Sequence, residues 1–196
     1  MRSVAVVGIV AVTAWMGVSG PAIAGASTPK AQPTPPARPH TPASTVGSAG
    51  GSAADNVSLL AAGSVAISSV DTLTGSAGTD VATMLGAGVL RESQVETVLG
   101  SAGTDSVTAL SAGTLAVSSV ETVTGMDVGT DVVRFLGAGS TAITAVETVI
   151  GSTGTESVTM LAGGTLGASA IETVTGSADT DVLNLLGTGS TRISNI

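Results

Sequence analysis

The sequence predicts an all-β chain folded as a parallel β-solenoid (a β-roll or β-helix), with coils of about 25 residues and three short strands in each. Three observations predict it. The first is a fixed repeat. Acids that follow a Gly-rich turn stand at Asp55, Asp80, Asp105, Asp131, Glu156 and Asp181, with spacings of 25, 25, 26, 25 and 25. The second is residue choice. Thr, Val and Ser dominate each copy and Gly marks its corners, which favours strands and interrupts any long helix. The third is the lack of aromatic bulk. Phe135 is the one aromatic beyond residue 40, so the interior has to be narrow and built from Val, Leu, Ile and Ala.

The chain is expected to begin with a leader. Arg2 precedes the apolar run Val4–Val18, and Ala22-Ile23-Ala24 supplies small residues at a cleavage site, so residues 1–24 read as a secretory signal peptide. Fifteen apolar residues are short for crossing a hydrocarbon core of about 30 Å, so no membrane span is expected after cleavage. Residues 25–49 form a linker that holds six of the seven prolines and the single His, His40. Residues 50–196 then hold about five and two-thirds copies of the repeat.

Within one copy, residues 105–125, three strands are expected near 106–110, 115–118 and 120–124. Val107 and Ala109 alternate on the first, and Leu115 and Val117 on the second. Val120 and Val123 are three apart, so the third strand has to start at a bend. The same columns stay apolar in the other copies: Val57, Ala82, Val107, Val133, Val158 and Leu183 form one, and Leu59, Met84, Ala109, Phe135, Met160 and Leu185 another. A stack of such coils buries a continuous column that no single coil could bury. At about 4.8 Å per coil the rod would be on the order of 27 Å long. A sandwich of antiparallel hairpins could use the same strands, but would not require the repeat.

Eleven of the fourteen acids fall in two columns. The first is the set above. The second is Asp71, Glu96, Glu121, Glu147 and Glu172. If one copy is one coil, each column sets like charges about 4.8 Å apart, with roughly 0.9 kcal/mol of repulsion per neighbouring pair even in water. Two tasks would justify the first column. Its carboxylates could accept hydrogen bonds from turn N–H groups, or they could hold calcium, a hard cation that takes carboxylate and carbonyl oxygens. The second column could simply face water.

The turns resemble the hemolysin-type (RTX) calcium-binding nonapeptide, G-G-x-G-x-D-x-U-x. Gly100-Ser101-Ala102-Gly103-Thr104-Asp105-Ser106-Val107 matches all but its second Gly, and residues 75–80 and 151–156 are similar. The resemblance covers residues 50–196. It implies calcium as cofactor and partner, held by Asp55, Asp80, Asp105, Asp131, Glu156 and Asp181. Carbonyls of the turn glycines would complete the sites: Gly75, Gly78, Gly100, Gly103, Gly125, Gly129, Gly151, Gly154 and Gly176. The departures are Ser at the second Gly of the nonapeptide, Asp179 in place of the second turn Gly that the other copies keep, Glu156 for Asp, and one turn per 25 residues, which allows one calcium line at most. The family also usually leaves the cell by a C-terminal signal, whereas an N-terminal leader is read here.

Other functions are excluded or demoted. The chain has no Cys and one His, so Cys/His zinc sites, disulfides, thiol chemistry and a Ser-His-Asp set are absent, and no enzyme is expected. Residues 51–196 carry three Arg against fourteen acids, a balance of 3 − 14 = −11, which argues against nucleic acid. The expected role is a secreted, extracellular or cell-surface calcium-binding solenoid with a structural or adhesive task, meeting cell-surface or matrix components. The chain stops mid-coil, so an open strand edge would also invite self-association. One alternative is a metal-free stalk or spacer. Another is an ice-binding face, since Thr72, Thr97, Thr122, Thr148 and Thr173 would form a ladder, one per coil.

Overall fold

The computed structural model describes residues 43–45 and 55–196; the leader and most of the linker lie outside the described residues. Two nine-stranded parallel sheets face each other. The first contains β1 (Ala43–Thr45), β3 (Gly63–Ile67), β5 (Asp80–Met84), β7 (Thr97–Leu99), β9 (Thr114–Ser118), β11 (Val132–Phe135), β13 (Thr148–Ile150), β15 (Gly164–Ser169) and β17 (Asp181–Leu185). The second contains β2 (Asn56–Ser58), β4 (Thr72–Thr74), β6 (Gly88–Ser93), β8 (Asp105–Ala109), β10 (Thr122–Thr124), β12 (Gly139–Thr144), β14 (Glu156–Met160), β16 (Thr173–Thr175) and β18 (Arg192–Ser194). The chain alternates between sheets, and each strand pairs in parallel with the next but one. The described residues contain no helix.

The fold is thus the expected parallel β-solenoid, but its coil is shorter than the repeat. Cα partners run Gly63↔Asp80, Val81↔Thr97 and Thr97↔Ala116, offsets of 17, 16 and 19 residues. A coil has two strands and about 17 residues, giving about eight coils. Three strands per repeat against two per coil make each repeat one and a half coils. Every repeat therefore begins on the sheet opposite its predecessor: Asp80 opens β5 in the first sheet and Asp105 opens β8 in the second. The physical reason lies in the side chains. Two facing sheets stand about 10 Å apart, a gap that Val, Leu and Ile fill. A triangular three-strand coil would enclose a wider centre, and close packing would then demand larger residues.

Val65, Leu73, Leu90, Val98, Val107, Val123, Val149 and Val174 are all at most 1% exposed and run as one core along the rod. Nine strands per sheet at about 4.8 Å give a length near 38 Å rather than 27 Å. Part of the difference comes from Ala43–Thr45. This segment, read as linker, pairs with β3 and adds a strand before residue 50.

Two lateral edges connect the sheets. On one the chain passes from the second sheet to the first, and on the other it returns. Three corner types follow one another along each edge: the Gly-rich turn, a corner carrying a second-column acid, and a corner led by Leu60, Leu85, Leu110, Leu136, Leu161 or Leu186. The acidic corner holds a left-handed residue in every copy: Ser69, Gln94, Ser119, Ala145, Ala170 and Asn195 have φ between 51° and 59°. The carbonyl it turns inward meets the first Gly of the preceding coil's turn. A β-carbon at Gly75 would collide with the Gln94 carbonyl, and Gly100, Gly125, Gly151 and Gly176 face the same limit.

Candidate functional site: the acid-capped corners

Asp55 precedes β2 and is half-buried; the other five first-column acids stand at the start of a strand and are buried. Asp80, Asp105 and Glu156 are 0% exposed, Asp131 4% and Asp181 7%. Each turns its carboxylate back over the Gly-rich turn before it. In the 75–80 turn, the Ser76 N–H donates to Asp80 Oδ2 at 2.5 Å, and the Ser76 hydroxyl donates to the same oxygen at 2.9 Å. The hydroxyl also accepts the Gly78 N–H, and the Gly63 N–H, one coil earlier, donates to Asp80 Oδ1 at 2.9 Å. Ser101, Gly103 and Gly88 repeat this set around Asp105. Asp131 takes the N–H groups of Gly113 and Met126. Asp181 takes the N–H and hydroxyl of Ser177.

The second-column acids do the complementary task. Glu96 Oε2 accepts the Asp80 N–H, Glu121 the Asp105 N–H and Glu147 the Asp131 N–H, each at 2.7 Å. Glu172 accepts from Glu156 at 2.8 Å, and Asp71 from Asp55 at 2.9 Å. The expectation that these acids only face water is therefore corrected. Each ties its coil to the previous one through a charged acceptor, a type of bond that contributes about 1.5–3 kcal/mol.

Copies alternate edges, so first-column acids do not stack one coil apart. Asp80 and Asp131 share an edge and are three strands apart, about 14 Å, where repulsion in water falls to about 0.3 kcal/mol before screening. The single calcium line expected of the six acids becomes two sparse rows, Asp80, Asp131 and Asp181 on one edge and Asp55, Asp105 and Glu156 on the other. The residues fit a calcium ligand set poorly as they stand. Calcium takes oxygen ligands, whereas the first-column carboxylates face N–H and O–H donors. No group of three or more Asp, Glu, His or Cys side chains is gathered to hold a metal among the described residues.

The threonine ladder also divides. Thr72, Thr122 and Thr173 lie on β4, β10 and β16 of the second sheet, and Thr97 and Thr148 on β7 and β13 of the first. The rank crossing the second sheet reads Val89, Ser106, Thr122, Ala142, Thr159, Thr175 and Ser194.

One departure was not singled out from the sequence. Glu92 takes the column position held elsewhere by Ile67, Val117, Ile143 and Ala168, and it is 3% exposed. Reading that column copy by copy would have exposed it. Its carboxyl accepts the Val95 N–H at 3.2 Å. Burial, and then the nearby charges of Glu96 and Asp131, push its pKa up from 4.5 to about 7 against the opposing pull of that hydrogen bond. No family model matches the chain, and neither a curated protein nor a solved structure does.

Proposed function

We propose that the chain is an exported structural rod, a spacer or adhesive stalk whose coils hold together without metal. One observation carries the reading. The oxygens that calcium would need already accept hydrogen bonds from the chain itself, coil after coil. Ser76, Ser101, Ser152 and Ser177, which stand where the resembling nonapeptide has its second Gly, each donate a hydroxyl to the acid four residues on. In this reading a hydroxyl and an amide replace the ion. Export rests on the apolar leader, a segment of the kind that directs the mature chain out of the cytoplasm.

The test is thermal melting followed by circular dichroism, in chelator and in millimolar calcium. The expected result is a full β spectrum in chelator and the same Tm in both. An ion present at a hundredfold excess over its Kd adds about 2.7 kcal/mol per site, so occupied sites would raise Tm visibly. Such a rise would overturn the metal-free rod in favour of a hemolysin-type calcium solenoid.

A further inference from the structure

Three departures from the repeat meet at one place. Glu92 is the penultimate residue of β6 and points inward, where the equivalent side chains are apolar. Its Cα partner on the next coil is Ala109. The equivalent pairs are Ile67↔Met84, Val117↔Phe135, Ile143↔Met160 and Ala168↔Leu185, so Ala109 is the small residue in a column of large ones. On the following coil, the same edge carries the one-residue insertion in Gly125–Thr130. A cavity of about 370 Å³ lies among these three, lined by Glu92, Ala109, Gly125 and Asp131, with Val123 and Val146 in its apolar wall. Unrelated drift would scatter such changes along the rod. Here they fall on three successive coils and one edge.

The lining sets the ligand chemistry. Glu92, Glu96 and Asp131 contribute carboxyls, and no Arg, Lys or His lines the cavity. Asp131 holds two backbone N–H groups and Glu96 one at 2.7 Å from the coil before, whereas the N–H that Glu92 holds, from Val95 in its own corner, lies at 3.2 Å. Val95, Leu115, Val123, Val133 and Val146 make the wall apolar. We infer that this cavity is a binding site for a small organic monocation, an ammonium group on a compact apolar body, with the Glu92 carboxylate as its counter-ion. The volume falls within the range of small-molecule pockets. A charged amine there would form the ion pair that the isolated Glu92 lacks, and its hydrocarbon would fill the space that Met84 and Met160 occupy in their own coils.

Titration of the isotopically labelled full chain with cyclohexylammonium at pH 8, read by methyl NMR, tests the site. Saturable shifts of the Val123, Val133 and Val146 methyls are expected, with neutral cyclohexanol binding at least about tenfold more weakly, the factor that 1.4 kcal/mol represents. Glu92→Gln should weaken the amine by a similar factor and leave cyclohexanol unchanged. Ala109→Met, which restores the column, should abolish both and preserve the fold, shown by an undiminished β spectrum. The assignment is overturned if the amine causes no saturable shift, or if amine and alcohol bind alike to the wild type and to Glu92→Gln.

Discussion

At the scale of single residues, the difference between Asp and Glu at the head of a strand is one methylene, and the corner registers it. Asp80 and Asp105 each reach the Ser N–H of their own turn and a Gly N–H one coil back. Glu156 is too long for the same seat. It keeps the Ser152 hydroxyl on Oε1, but Oε2 is buried with no hydrogen bond, and the Gly139 N–H turns to the Thr155 carbonyl. A buried unsatisfied acceptor costs about 1–3 kcal/mol. Glu156→Asp should therefore stabilise the rod by about 1 kcal/mol, read as a higher urea midpoint at unchanged slope; a lower midpoint would refute the seat described here. Glu92 supplies a pH signature. Its folded pKa, near 7, exceeds its ordinary 4.5, so the folded chain retains a proton that the unfolded chain releases. The contribution is fully present below about 4.5, is lost as pH rises to about 7, and is flat above, on the order of 3 kcal/mol in total. Glu96 and Asp131 are the charged groups that raise it. The stability of wild type minus that of Glu92→Gln should fall across this window, and a pH-independent difference would contradict it.

At the scale of strands and corners, one contact between turns is rewritten within the chain. The second Gly of the turn packs on the Leu-led corner one coil earlier: Gly78 on Ala62, Gly103 on Ala87, Gly129 on Ala112 and Gly154 on Ala138. Where Asp179 replaces that Gly, the partner is Gly163, whose added β-carbon would lie 2.8 Å from the Asp179 Cβ. The contact admits one β-carbon, and either side can supply it. Gly163→Ala should cost about 1–3 kcal/mol by overpacking, and Asp179→Gly should restore most of it. A double-mutant cycle in urea checks this, with no coupling as the refuting result. Much of the strand level was legible in sequence. Alternation of Val107 with Ala109 and of Leu115 with Val117 placed strands that fold as Asp105–Ala109 and Thr114–Ser118, and the Val120–Val123 spacing marked the bend before Thr122. The acids were legible as turn acceptors, but their partners were not. That Glu121 holds the Asp105 N–H depends on which strand lies beside which, and a 25-residue period does not say where the chain next meets itself. Glu92 was legible in part: aligned with Ile67, Val117, Ile143 and Ala168 it stands out as the exception, but the cavity beside it follows only from which strands are neighbours.

At the scale of the whole rod, the repeat and the coil are different units, and they make opposite demands on an excised segment. Advancing by one repeat exchanges the sheets but preserves every neighbour relation, because each edge cycles through the same three corner types. Advancing by one coil preserves the sheets but, on one edge, sets a Leu-led corner where an acidic corner should be and, on the other, a Gly-rich turn where a Leu-led corner should be. In the deletion of residues 81–97 the Asp80 N–H then loses its Glu96 acceptor, and Asp105 loses the Gly88 N–H donated from the Leu-led corner one coil back. Removal of the 25 residues 81–105, joining Asp80 to Ser106, should therefore yield a folded rod with a cooperative melt, shortened by one and a half coils, about 7 Å, in small-angle scattering. Removal of the 17 residues 81–97, joining Asp80 to Val98, excises one coil's length and should abolish the cooperative melt. Equal tolerance of both deletions would mean that generic sheet stacking specifies the rod. The pattern expected here means that the corners do, through acids whose partners lie one coil away.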